Sequence, residues 1–509
     1  MMNRVLATMT FDSFQGNSYL YDDNTGMVFP ATAALIALLE AHTIQPLETA
    51  IAGLATQYSQ AELIQAANFI HRWETMYGAF YRDDNWRAMM QKHMFDYSTD
   101  DVKSLVTQEF RQLVLVLTEN CNLRCRYCFF SEAYPLTRNR TYNTLSFETG
   151  RKAIDYFFAQ ARPAVLAHPL RKLAITFYGG EPLMASKTLQ NLLTYAQENA
   201  PCELIFSLTT NGTLLQGEIA QTLVDFDVAI NISLDGPQPD HDRNRVLPKG
   251  KGSFDLIMKN LKAFRQRFPD YEKLALVGVF DWKTDLFRVA DFFEENKSWL
   301  PPLQMLSRVN EQDTVYYEQF SDKDVVKFRE AHQRLEEIYL QGKLTGESEI
   351  PLYARVYFEM RLISAILRRR HGNITSAILP FTGTCVPGAK LTVRTNGILD
   401  ICERVNGTMP LGHVDTGINF ESVGAIIKEY NRSVCLGCWR CPASKLCNNC
   451  FALCNTDDGF AKPKGEGSCD TIRTYSRQAL RVAYSILEKE PNAFEDISYF
   501  NPELRLLEG

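Results

Sequence analysis

Thr118-Glu119-Asn120-Cys121-Asn122-Leu123-Arg124-Cys125-Arg126-Tyr127-Cys128 directly follows the apolar run Leu113-Val114-Leu115-Val116-Leu117. A short run that is apolar on both faces predicts a buried strand. The three cysteines then fall on the loop leaving its C-terminal end, where α/β barrels carry their chemistry. At C-x3-C-x2-C spacing three thiolates can hold three irons of a [4Fe–4S] cluster, and the fourth iron has no protein ligand. An open coordination position lets a metal site bind a substrate instead of acting as a structural clip. The competing reading is zinc, which asks for four closed ligands, and no fourth ligand lies nearby.

Around this stretch, 509 residues are too many for one ordinary domain and predict two or three, each with its own core. A formal charge of −6 gives no basis for a nucleic-acid partner, which would call for a basic domain or stripe. No apolar run reaches the roughly 18 residues of a membrane span, and Met1 to Asn17 lacks the basic start and apolar core of a secretory leader. Twelve of the thirteen cysteines fall into groups beginning at Cys121, Cys385 and Cys435, a ligand pattern instead of a disulfide scaffold. Cys202, alone beside a strand, reads as a small core residue. A cytoplasmic protein in a reducing compartment is expected, with no nucleic-acid and no membrane partner.

Residues 1–110 contain no cysteine. They predict a small α+β module: a strand pair at Asn17–Tyr21 and Met27–Phe29 joined through Asp22-Asp23-Asn24-Thr25-Gly26, then helices at Pro30–Ala41, Pro46–Ala55 and Gln60–Phe80. From 111 to 310, strands at 113–118, 173–178, 203–208, 228–234, 274–280 and 303–306 alternate with helices near 147–161, 186–199, 215–225, 254–267 and 284–296. That alternation is the sequence form of a parallel α/β sheet. Residues 311–380 are charged and helical, including 322–341, and read as a linker. Residues 381–509 hold nine cysteines and a hairpin, Lys390–Ile401, turning at Thr395-Asn396-Gly397.

The cysteine triplet, with aromatic Tyr127 before the third cysteine, resembles the defining motif of the radical S-adenosylmethionine (SAM) superfamily. Six β/α units match that family's partial (β/α)6 TIM barrel. Further segments agree at successive strand ends: Tyr178-Gly179-Gly180-Glu181-Pro182, Thr209-Thr210-Asn211-Gly212-Thr213, Ile232-Ser233-Leu234-Asp235-Gly236 and His241-Asp242-Arg243-Asn244-Arg245. The resemblance implies SAM contacts from Tyr127, Gly179, Gly180, Glu181, Asn211, Ser233 and Arg245, with Arg243 the substitute for Arg245. Two adjacent glycines also let a backbone approach a ligand closely.

The C-terminal cysteines resemble the SPASM extension, marked by a Gly-x4-Cys hairpin (Gly397 to Cys402) and a C-x2-C-x5-C run (Cys438, Cys441, Cys447). The family's following C-x3-C departs here to Cys447-x2-Cys450-x3-Cys454. The resemblance implies two auxiliary [4Fe–4S] clusters, three with the core. One would take Cys385, Cys402 and either Cys450 or Cys454, the other Cys438, Cys441, Cys447 and Cys469, with Cys435 an eighth ligand for the pair. A zinc ribbon built from the C-x2-C pairs is the bland alternative.

The activity so implied is a radical SAM oxidoreductase acting on a peptide. It would install a thioether, carbon–carbon or ether crosslink in a ribosomally made precursor, supplied with electrons by a flavodoxin or ferredoxin. Residues 1–110 resemble in pattern the winged-helix element that holds a leader peptide, and a structural cap is the alternative for them. Glu403, beside Cys402, is the candidate catalytic base, by likeness to an aspartate in sulfatase-maturing enzymes. A formylglycine-making sulfatase maturase and a non-catalytic cluster-bearing binding protein are the competing functions.

Overall fold

The computed structural model describes residues 4–134, 140–311, 314–345, 350–370, 378–382, 384–388, 390–405, 407, 409–463 and 467–494, with 363–370 by backbone alone. It opens with strands β1 (Val5–Leu6), β2 (Thr8–Asp12), β3 (Ser18–Asp22) and β4 (Val28–Pro30), helices α1 (Ala33–Ala41), α2 (Leu47–Leu54) and α3 (Gln60–Tyr77), and strand β5 (Tyr81–Arg82). Strands β2, β3 and β4 form an antiparallel sheet, and β1 pairs with β5. Ser59 and Glu62 form a capping box that opens α3. Gly78, in the left-handed region at φ 62°, ends it before Phe80, where the apolar pattern alone would have carried it. This unit has its own core around Leu20, Phe29, Leu38, Ile70 and Phe80.

Helices α4 (Asp84–Phe95) and α5 (Thr99–Glu109) follow. Met94, Val102, Val106 and Phe110 are buried in the main core, so by packing this stretch joins the large sheet. That sheet contains β6 (Gln112–Thr118), β7 (Leu173–Gly179), β8 (Leu204–Thr210), β9 (Ala229–Ser233), β10 (Leu274–Phe280) and β11 (Leu303–Arg308), parallel and in sequence order. Between them run α6 (Phe147–Ala167), α7 (Ser186–Asn199), α8 (Gly217–Asp225), α9 (Gln238–Asn244), α10 (Phe254–Arg267) and α11 (Leu286–Glu295). This is the partial α/β barrel expected, and among the described residues no pairing closes β11 onto β6.

Among the helices between the parallel strands, two differ from the sequence reading. The helix expected to stop near 161 continues through Pro163 to Ala167, because Pro163 lies on the exposed side while Ala161 and Val165 extend the buried stripe. A proline there forfeits one backbone bond without breaking that stripe. Helix α9 was not foreseen, since every residue in it is polar or proline. Tertiary bonds hold it: Asp240 accepts from Arg288 at 2.7 and 3.0 Å, and Asp242 accepts the Ser253 and Phe254 N–H groups at 2.8 and 2.9 Å.

Helices α12 (Asp322–Thr345) and α13 (Leu352–Arg370) precede the cysteine-rich region, which contains β12 (Lys390–Val393), β13 (Ile398–Asp400), β14 (Gly412–His413), β15 (Gly417–Ile418), α14 (Phe420–Tyr430), α15 (Phe451–Cys454) and α16 (Cys469–Leu487). The expected hairpin forms from β12 and β13. Strand β12 also pairs in parallel with β6, Lys390 opposite Gln112 through Val393 opposite Leu115, so ten strands make one sheet. The first unit docks on the last, with Met9, Phe11 and Tyr21 packed against Ala443, Leu446 and Leu480. No described helix is long and apolar enough to cross a membrane.

Phe177 in β7 is fully buried, with its ring centroid 6.4 Å from that of Phe206. Phe177→Ala should cost about 3–5 kcal/mol through lost burial and a residual cavity. Chemical denaturation checks this, and a loss below about 1 kcal/mol would remove Phe177 from the packing that supports the sheet.

Candidate active site

Strand β6 delivers the Cys121–Cys128 loop to the C-terminal edge of the sheet, and the loop is held from both sides. Gly180 N–H donates to the Thr118 carbonyl at 2.8 Å and Glu181 N–H to the Asn120 carbonyl at 2.9 Å, while Arg124 and Arg126 N–H donate to the Val246 and Asn244 carbonyls at 2.6 and 3.0 Å. A Cβ at Gly179, where φ is +144°, would stand 2.2 Å from the Thr118 oxygen, and one at Gly180 would stand 2.2 Å from the Asn120 oxygen. The backbone these glycines admit is therefore that of the cysteine loop itself.

Glu181 is fully buried. Its Oε1 accepts from Thr210 Oγ1 at 2.7 Å and Leu183 N–H at 3.0 Å, and its Oε2 accepts Asn211 N–H at 2.7 Å. Burial pushes this carboxyl up, and those donors pull against it. Asn211 turns its Nδ2 to Asn122 Oδ1 at 2.9 Å and to Cys121 Sγ at 3.9 Å. Ser233 lies buried at the end of β9.

Arg245 and Tyr127 converge on Asp235, which the sequence reading quoted without giving it a role. Arg245 Nε donates to Asp235 Oδ2 at 3.1 Å, the Tyr127 hydroxyl donates to the same oxygen, and the guanidinium carbon lies 5.5 Å from the Tyr127 ring centroid. Burial pushes the Cys125 thiol up to about 12, and the Arg245 charge beside it is the first effect pulling it back. Arg243 instead makes a two-pronged pair with Asp281 at 2.7 and 2.8 Å. Arg245, not Arg243, is thus the guanidinium beside the cysteines.

Burial also raises the Cys121 thiol to about 11. Buried thiols of this kind become thiolates when a metal supplies the compensating positive charge, so the donor set fits an iron–sulfur cluster. Among the described residues no group of three or more His, Cys, Asp or Glu converges as ligands of one ion would.

In the extension, Cys438, Cys441, Cys447 and Cys469 line one cavity of about 150 Å³, together with Lys462 and Arg473. These are the four cysteines expected to share a cluster. Cys402 is raised to about 12 by burial first and by Glu403 next, and Cys385 adds to it. Cys385 is exposed as a residue, yet atoms packed around its thiol raise it to about 11, ahead of repulsion from Cys450. Repulsion thus links Cys385 to Cys450 and Cys402 to Cys385. Cys454 and Cys435 are both 1% exposed and belong to the main core, and Cys435 pairs with Cys438, its own thiol pushed up and that of Cys438 down.

Glu403 pairs with Lys390, with Nζ 2.9 Å from Oε1 and 2.8 Å from Oε2. Burial pushes the Glu403 carboxyl up, but the Lys390 and Arg404 charges outweigh it and hold it below the usual range. The sequence reading missed Lys390 because the pairing needs the hairpin closed. Burial raises the Tyr178 hydroxyl, and the Glu403 charge adds to that rise. Glu119 ties the hairpin to the core loop, accepting from Thr395 Oγ1 at 3.3 Å.

Residues 115–285 match the family model described as Radical SAM superfamily. The chain is 21% identical to the radical SAM cyclopropyl synthase TigE of Paramaledivibacter caminithermalis over 396 residues, 76% of each chain. It is 30% identical to a serine-type anaerobic sulfatase-maturating enzyme of Bacteroides thetaiotaomicron over 183 residues, 34% of this chain but only 41% of that protein. The solved structure described as native anSMEcpe with bound AdoMet and Cp18Cys peptide shares the fold, at a TM-score of 0.52 and 19% identity over 77% of this chain and 99% of that one.

Gly180→Ala should destabilise the metal-free protein by about 1–3 kcal/mol, the usual cost of overpacking, and should speed alkylation of Cys121 as the loop is displaced. Thermal or chemical unfolding and thiol-labelling rates check it. Unchanged values in both would mean that the loop moves aside freely.

Proposed function

Starting from the radical SAM domain that residues 115–285 form, we propose that this chain is a peptide maturase that oxidatively crosslinks a ribosomally made precursor. The observation that carries the reading is the pairing of β12 with β6, which joins the cysteine-rich extension to the strand that delivers the Cys121–Cys128 loop, with Thr395 at the hairpin turn bonded to Glu119. Cys121, Cys125 and Cys128 would hold the core cluster. Cys438, Cys441, Cys447 and Cys469 would hold one auxiliary cluster, and Cys385, Cys402 and Cys450, with Cys454 or Cys435, the other. Bound there, the clusters and SAM supply single electrons and a 5′-deoxyadenosyl radical able to abstract hydrogen from the peptide.

The chain's own residues orient and exclude. Gly179, Gly180 and Asn211 line the SAM side of the loop, Glu181 fixes the strand ends beneath it, and Ser233 and Tyr127 border it. Arg245, fixed at Nε by Asp235, offers its guanidinium to the SAM carboxylate. Glu403, kept ionised by Lys390, takes the proton released when the substrate radical loses its electron. The first unit, with its three-stranded sheet and separate core, would hold the precursor's leader. An electron donor of flavodoxin or ferredoxin type would complete the cycle.

A formylglycine-forming maturase is the second reading, favoured by the likeness to sulfatase-maturating enzymes. Mass spectrometry with a carbonyl-reactive probe separates the two. A crosslinked product is lighter by two hydrogens and unreactive to the probe, whereas formylglycine is labelled.

Replacing Cys121, Cys125 and Cys128 together by alanine should abolish 5′-deoxyadenosine formation while iron bound by the extension persists. Continued formation of 5′-deoxyadenosine, followed by chromatography, would refute the core assignment. Glu403→Gln should slow closure by about 100- to 10,000-fold, the usual worth of a positioned acid/base group, while 5′-deoxyadenosine still accumulates. An unchanged yield of crosslinked peptide would take Glu403 out of the chemistry.

A further inference from the structure

Asp23, just after β3, and Arg82, ending β5, lie hundreds of residues from the extension's cysteines in sequence but against them in space. Their side chains are 0% and 2% exposed, and Arg82 Nη2 donates to Asp23 Oδ2 at 2.7 Å. Arg82 Nη1 donates to the carbonyls of Trp439 at 3.3 Å and Cys441 at 3.0 Å, inside the loop from Cys438 to Cys441. Asp23 in turn accepts Lys445 N–H at 2.9 Å and the Ser444 hydroxyl, fixing the chain between Cys441 and Cys447.

A buried ion pair adds little stability over an apolar replacement of the same size, because desolvating both charges offsets their attraction. Here, beyond the bonds to Asn24 and Tyr21 of its own unit, its donor and acceptor capacity is directed at the loop that supplies three of the four cysteines around the 150 Å³ cavity. Cys438 and Cys441 bracket the segment whose carbonyls Arg82 binds, so the buried charges lie against that cavity's wall.

We propose that Arg82 and Asp23 are positioning residues for the auxiliary cluster of Cys438, Cys441, Cys447 and Cys469, fixing its ligand loop and setting its reduction potential with opposing charges. The inference rests on the reading that these cysteines bind an iron–sulfur cluster. Reduction adds negative charge to such a cluster, so a nearby cation favours the reduced form and an anion opposes it. Because the pair belongs to the first unit, the region proposed to hold the leader and the cluster's ligand loop are joined by direct hydrogen bonds.

The test is a redox titration of the anaerobically reconstituted full chain followed by electron paramagnetic resonance, with the relevant signal identified by its loss in Cys469→Ala. Arg82→Met should make reduction about tenfold less favourable, a 59 mV fall for one electron, and Asp23→Asn should move the potential the opposite way by a similar amount. Should Arg82→Met fail to fold, Arg82→Lys serves. It keeps the charge but not the fork, so the potential should stay near that of the parent while a chelator strips this cluster's iron several-fold faster. Shifts of the same sign in the Met and Asn variants, no shift in either, or parent-like iron retention in Arg82→Lys would overturn the proposal. A parent protein lacking the Cys469-dependent signal would instead overturn the cluster reading beneath it.

Discussion

Three strand ends meet at one buried carboxylate. Glu181 follows β7, its N–H binds the chain leaving β6, and its oxygens bind Thr210 and Asn211 at the end of β8. An unpaired carboxylate in that position would be costly, so its donors must all be in place together. The cysteine loop lies across this junction, close enough that Gly179 and Gly180 tolerate no side chain. The cysteine loop is thus held to the strand ends by bonds from outside its own sequence.

The extension builds on the same edge. With β12 laid beside β6, the sheet runs unbroken from the partial barrel into the cysteine-rich region, and the Lys390–Glu403 pair stands at the join. Burial raises the Cys402 thiol there, and the Lys390 charge compensates the carboxylate beside it. The first unit binds the segment from Trp439 to Lys445 through Arg82 and Asp23. Two structural loops of cysteines are thereby held by residues well outside their own motifs.

Much of this was legible in the chain. Strand β10 and helices α7 and α10 fall where the apolar periodicity puts them, since long amphipathic stripes bounded by turns leave little ambiguity. The cavity of Cys438, Cys441, Cys447 and Cys469 gathers the four residues that the family resemblance grouped. What was not legible depends on tertiary partners: polar α9, held by Arg288 and by the cap of α10, and the passage of α6 through Pro163. The parallel register of β12 on β6 joins residues far apart in sequence, and no local pattern encodes it. The same holds for Asp235, whose meaning comes only from Arg245 and Tyr127 meeting it.

The central claim is that one cysteine group holds an open cluster for SAM while the others hold closed ones. Iron and sulfide analysis of the anaerobically reconstituted chain, read beside its reduced resonance spectrum with and without SAM, tests it most directly. The account predicts three [4Fe–4S] clusters per chain, with a single signal that changes when SAM is added and is absent from the Cys121, Cys125 and Cys128 variant. Zinc in place of iron, or a spectrum indifferent to SAM, would contradict it.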